Sequence, residues 1–369
     1  MKKYSRRHRA HLIRKSRAGS CRKSAHFHRH KIFVDDLARM KSVRRRLPAF
    51  TTEREVHQKY ICFDAPKRFN IFENYERTLA FILDVRTLFM RTQRKRGRRP
   101  YYANFSTIEE LDPASGLILA AEIDRWRRTT SRTPVSFDHL WKKDVRDFFF
   151  QAGLFDLLHI DPAATHVSEG DEGDFETIQY RSGIITSGEE ANSFREELEA
   201  KIGGDIGPRV DVYNALSEAM SNVVWHAYQR TLGAWPKAVI NRWWLGGTWS
   251  KSDNMVTVQM YDHGVGIPRT LPKSEHWSEV LPLIGRIDSE RSDAGMIEAA
   301  MQYGRTRTGK AGRGKGLAQM ADWIESADNG SLRILSGNGS LTFLPGRQLI
   351  KERLATEFCG TLVEWKVSL

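Results

Sequence analysis

The stretch Glu218-Ala-Met-Ser-Asn222-Val-Val-Trp-His226 lies in a window, Val212 to Gln229, whose apolar residues recur every three or four positions. Leu216, Ala219, Met220 and Val223 form one apolar stripe, which predicts a helix with a buried face. Glu218, Asn222 and His226 are four apart and fall on the neighbouring stripe. A carboxylate there can orient or deprotonate a water. An amide oxygen one turn on suits a hard cation such as magnesium. Taken alone, the stripe also describes an ordinary solvated helix face.

Downstream, Met255 to Tyr261 alternates and is rich in β-formers, which predicts a strand. It runs into Asp262-His-Gly264-Val-Gly266-Ile-Pro268. About fifty residues later comes Gly312-Arg-Gly314-Lys-Gly316-Leu317, followed by a helical pattern to Ala327. Gly360-Thr361 opens a last strand. These four motifs, in this order and context, resemble the GHKL ATPase superfamily, which includes gyrase B, the ninety-kilodalton heat-shock chaperones, histidine kinases and MutL. The resemblance covers residues 186–369.

The resemblance implies an α/β fold: a Bergerat-type α/β sandwich in which a mixed sheet carries helices on one face, with an ATP lid. It implies ATP and Mg2+ as ligands. Asp262 would accept a hydrogen bond from the adenine amino group, since a carboxylate is acceptor-only. Gly264 and Gly266 would let backbone approach the base. Thr361 would bond beside Asp262. Gly312, Gly314 and Gly316 would turn amides to the phosphates at a helix N-terminus, with Lys310, Arg313 and Lys315 adding positive charge. Asn222 would be the metal ligand, holding magnesium, and Glu218 the catalytic residue that orients water. His226 is assigned only a supporting, structural place. Residues 267–311 would be the lid, read as a long functional loop.

Charge and composition organise the rest. Residues 1–50 hold 17 Lys and Arg against two acids, a balance of +15, so the other 319 residues sum to −2 of the chain's +13. The basicity thus belongs to an arm, which predicts binding to a nucleic acid or another polyanion, or a clasp on an acidic surface of the same molecule. Residues 51–165 form the next unit. Leu79 to Val85 reads as helix or strand, Tyr101 to Phe105 and Pro134 to Phe137 as strands, Leu111 to Trp126 as a turn into an amphipathic helix, and Asp144 to Leu158 as a helix interrupted at Gly153. Asp112, Ser115 and Gly116, with Gly153-Leu154, resemble a STAS domain, the anti-anti-sigma fold, although Pro113-Ala114 departs from its phosphoacceptor loop. Ser115 reads as a phosphoacceptor or as a helix cap. Residues 166–185, with acids from Glu169 to Glu176, read as an acidic linker to the nucleotide-binding unit at 186–369.

No apolar run reaches the ~18 residues of a membrane helix. Cys21, Cys62 and Cys359 are too far apart for a disulfide framework, which fits a reducing cytoplasm. Three functions follow: a slow magnesium-dependent ATPase that controls a conformational or partner-binding state, a serine kinase or anti-sigma-type regulator acting on a STAS domain, and a nucleotide-gated nucleic-acid-binding module. A regulatory protein and a second copy of the chain are the further partners these readings admit.

Overall fold

The computed structural model describes residues 52–91, 101–130, 135–158, 160, 174–229, 240–288, 290–306 and 316–369. The basic arm lies outside them, as do most of the acidic run and Lys310, Gly312, Arg313, Gly314 and Lys315. In chain order the elements begin with α1 (Glu53–Lys59), β1 (Ile61–Asp64), β2 (Arg68–Phe69) and α2 (Tyr75–Arg91). Next come β3 (Tyr101–Asn104), β4 (Glu110–Leu111), α3 (Pro113–Thr130), α4 (Lys143–Gln151) and α5 (Leu154–Leu158). Then follow β5 (Phe175–Gly183), α6 (Gly188–Ile202), α7 (Arg209–Asn222), β6 (Trp243–Ser250) and β7 (Met255–Asp262). The chain continues with α8 (Ile267–Thr270), α9 (Trp277–Ile287), α10 (Asp293–Thr306), α11 (Gly316–Glu325), β8 (Gly330–Leu344) and β9 (Gln348–Ser368).

The protein is α/β, built on one five-stranded sheet in the order β5-β6-β7-β9-β8. Every neighbouring pair is antiparallel, so the expected mixed sheet is corrected. Short connections such as the β6–β7 turn make this pairing the simplest one. Both faces are covered. On one, Val256, Val258 and Met260 of β7 pack with α6, α7 and α11 through Phe194, Leu216 and Trp323. On the other, Trp244, Tyr261 and Leu362 join α2, α3, α4 and α5 in a second core. The helices on this second face belong to residues 75–158, outside the unit at 186–369 for which helices on one face were expected. Residues from 65 to 160 and from the sheet share that second core.

Local signals explain most elements. Ser187 caps α6, its hydroxyl accepting from Glu190 N–H at 3.1 Å, and Gly203 ends the helix at φ 77°. Leu216, Ala219 and Met220 are buried along α7 as their spacing predicts. The helix then widens into a single π turn, Val223–Ala227, which breaks the four-residue stripe. His226 is consequently exposed, whereas Glu218 and Asn222 are half-buried. The helix predicted at 144–158 is interrupted at Gly153 (φ 82°), as expected.

Several expectations change. β5 occupies residues placed in the linker and is the edge strand of the sheet. Residues 135–137 are irregular and lead into a 3-10 turn, not a strand; Pro134 lies outside the described residues. The lid region is largely helical, not an open loop: α9 and α10 pack on each other through Val280, Ile284, Ala299 and Tyr303. In the N-terminal stretch, β1 pairs β3 and β2 pairs β4, both parallel and both two-stranded. Among the described residues no helix is long and apolar enough to cross a membrane.

Candidate functional site

The apolar face toward α7 ends in a polar row. Asp262 lies opposite Thr361 in the β7–β9 register, and Thr361 lies opposite Ser336 in β8. Residues directly opposite in antiparallel strands share a face. Asp262 is two residues beyond buried Met260, so it points toward α7. Its carboxyl is 3% exposed. Burial pushes it up to about 7, against the hydrogen bonds from Gly264 and Thr361 that favour the ionised form. Gly264 N–H donates to Asp262 Oδ1 at 2.6 Å. Ser336 Oγ lies 3.3 Å from Thr361 Oγ1 and accepts from Ile267 N–H at 2.9 Å.

The turn after β7 fits closely against its surroundings. A Cβ at Gly264 would stand 2.5 Å from the Ala227 carbonyl oxygen, and one at Gly266 would stand 2.8 Å from Ser336 Oγ. Gly266 also has φ 85°, which an L side chain rarely adopts. These contacts tie the turn to the end of α7. Val265 N–H donates to Ala227 O at 3.0 Å, and His263 N–H donates to Tyr228 Oη at 3.0 Å. Tyr228 Oη in turn donates to Arg242 O. The π turn thus joins the Asn222 helix to the Asp262 turn.

Asn222 Nδ2 lies 3.8 Å from Met320 Sδ. Met320 is four residues, about one helical turn, after Gly316, which opens α11. The structure therefore brings the start of α11 and the Asn222 helix together. Glu218 sits one turn before Asn222, and burial pushes its carboxyl above the usual range. Asp262, Gly264, Gly266 and Thr361 lie together at the end of β7. Among the described residues, no group of three or more His, Cys, Asp or Glu is arranged to hold a metal ion.

Several contributors were missed. Tyr228 and Ser336 carry hydrogen bonds that fix the turn, yet neither sits in a recognisable motif. His263 was in plain view inside the Asp-x-Gly-x-Gly pattern, but its side chain faces away from Asp262. Ser115 corrects another expectation. It is fully buried, and Asp112 is the cap of α3: Asp112 Oδ2 accepts from Ser115 N–H and Ser115 Oγ, both at 3.0 Å. Ser115 Oγ accepts from Ile71 N–H at 2.8 Å, so its hydroxyl is enclosed and not exposed as a phosphoacceptor. No family model and no curated protein matches the chain.

Proposed function

We propose that the chain is an ATP-binding protein of the GHKL type, with a Bergerat-type site that uses magnesium and hydrolyses ATP slowly. The observation that carries this is the Asp262–Thr361–Ser336 row, with Asp262 and Ser336 buried, closed by a glycine turn that hydrogen-bonds to the end of the Asn222 helix. A buried acceptor-only carboxylate beside two hydroxyls suits an amino-purine edge. Gly264 and Gly266 let the turn pack directly on Ala227 and Ser336, which fixes the backbone beside Asp262. Asn222 would hold the magnesium, with nucleotide oxygens completing its shell. Gly312 to Gly316, with Lys310, Arg313 and Lys315, would hold the phosphates at the start of α11. Bound ATP supplies the phosphoanhydride; the chain's part is to orient it and a water, with Glu218 beside Asn222. Nucleotide state would then set the packing of α9 and α10 and through it a partner-binding state.

Asp262→Asn is expected to weaken ATP binding by about 1–3 kcal/mol, because one amide orientation turns a donor toward a donor. Calorimetry with ATP and magnesium tests this, and an unchanged affinity removes the adenine assignment. A pH series gives a second check. The ionised form is the better acceptor, so affinity should rise about tenfold from pH 6 to pH 8 as a carboxyl held near pH 7 ionises.

The stability of the free protein should move the other way. Asp262 keeps its proton to about 7 when folded but releases it near 3.8 when unfolded. Glu364, pushed by burial from 4.5 to about 8, behaves alike. The folded state binds more protons in this window, so stability falls as pH rises from about 4 toward 8. Urea midpoints at pH 5 and pH 8 check this: if both carboxyls were ionised throughout, no such fall would appear.

A further inference from the structure

Helix α3 is buried from Ala114 to Arg127, and within six residues it buries Glu122, Asp124, Arg125 and Arg127. Burying charge costs several kcal/mol per ion, and apolar residues of similar shape commonly stabilise a fold as well. The arrangement is directed at one place. Glu122 Oε1 accepts from Arg86 Nε at 2.9 Å and also from Arg86 Nη2. Glu122 Oε2 accepts from Arg125 Nε at 3.0 Å and Nη2 at 2.8 Å. His263 Nε2, from the residue after Asp262, lies 2.9 Å from Glu122 Oε1. The His263 ring also meets Trp244 edge-on at 4.5 Å between centroids and Tyr261 at 5.1 Å.

We infer that Glu122 and His263 are positioning residues for Asp262, so that the N-terminal helices are a working part of the nucleotide site. This rests on reading Asp262 as the adenine contact. Consecutive strand residues point to opposite faces, so His263 anchors the backbone of Asp262 from behind. The same residue is held in front by its N–H bond to Tyr228. Two guanidiniums and one carboxylate already leave a charge of +1 in a dry site. A second proton is disfavoured there: burial, followed by the two arginines, outweighs Glu122 and holds His263 down to about 4. The His263 ring therefore stays neutral and meets Glu122 by close approach at 2.9 Å, not through a well-formed ring N–H hydrogen bond. The network reaches the neighbouring strand too. Arg86 Nη2 lies 3.5 Å from Tyr261 Oη, which donates to Cys359 O at 2.9 Å, two residues before Thr361. β7 and β9, which carry Asp262 and Thr361, are therefore both registered against α2 and α3.

The test compares two ligands on the full chain: ATP, and purine riboside triphosphate, which lacks the 6-amino group that Asp262 would read. The parent protein should prefer ATP about tenfold, the value of one good hydrogen bond. His263→Phe keeps a ring against Trp244 and Tyr261 but drops the contact to Glu122. Glu122→Gln keeps the shape and removes the charge. In each the preference should fall below about threefold, while affinity for the purine analogue stays within about threefold of the parent. If Glu122→Gln does not fold, His263→Phe decides, since it leaves Glu122 paired with both arginines. A merely structural contact would weaken both ligands in parallel and keep the preference, and that result overturns the inference. A parent protein with no preference overturns the adenine reading and this inference with it; a parent preference that the variants retain overturns this inference alone.

Discussion

Glu218→Ala is expected to bind ATP as the parent does and to release phosphate at least about a hundredfold more slowly. A positioned general base contributes roughly a factor of 10²–10⁴ to a proton transfer. Glu218 suits that part because burial raises its carboxyl from 4.5 toward the working pH. It stands one turn from Asn222, where the nucleotide's metal would be held. Removing a group that acts on water lowers turnover and leaves ground-state binding alone. The fold should be indifferent. Glu218 makes no hydrogen bond or ion pair among the described residues, and its neighbours on the buried stripe, Ala219 and Met220, are untouched. Stability should change by no more than about 0.5 kcal/mol. Phosphate release measured under saturating ATP checks this. Equal rates in the two proteins would return Glu218 to an ordinary helix face.

Gly360→Ala should be the most damaging single change to the fold. Gly360 has φ 93°, and a Cβ there would lie 1.8 Å from the Asp262 carbonyl oxygen. No rotamer relieves a backbone clash, so β7 and β9 must separate where the polar row is built. Strained backbone costs about 1–3 kcal/mol and overpacking a similar amount, for a total of about 2–6 kcal/mol. Gly203→Ala is the matched control. It also has positive φ, 77°, but a Cβ would meet nothing within 4 Å, so it should cost only about 1 kcal/mol. Denaturant unfolding of the two variants separates steric conflict from backbone preference. Equal losses would show that β9 yields at Gly360.

How far the sequence could be read depended on whether a residue's environment is local. The stripe of α7 and the alternation of β7 are short-range patterns, and both appear where expected. The cap at Ser187 is likewise a three-residue signal. β5 was hidden because Glu176 continues an acidic run, although Ile178 and Tyr180 are core residues. Helix α3 was harder. Its apolar residues from Leu117 to Ile123 are those of a buried helix, but Glu122, Asp124, Arg125 and Arg127 make it look amphipathic. Their burial depends on partners such as Arg86, His263 and Trp244, far away in sequence and supplied only by the tertiary fold. The meeting of Asp262 with Thr361 was legible only through the family resemblance, and the β7–β9 register brings the two opposite one another. Tyr228 and Ser336 were not legible, because each acts through one long-range hydrogen bond.

The buried charges of α3 also bear on how the chain comes off the ribosome. Arg86 meets Tyr261 across 175 residues, Asp124 meets Trp244 across 120, and Tyr75 meets Thr356 across 281. During synthesis at ~5–20 residues per second, α2 and α3 emerge many seconds before the strands that cover them. Their aromatic and aliphatic faces have no sheet to rest on, and Glu122 has no imidazole to meet. Contacts closed over such long loops are slow to form. The core shared by the N-terminal helices and the sheet therefore closes only once the last strand, β9, has been made.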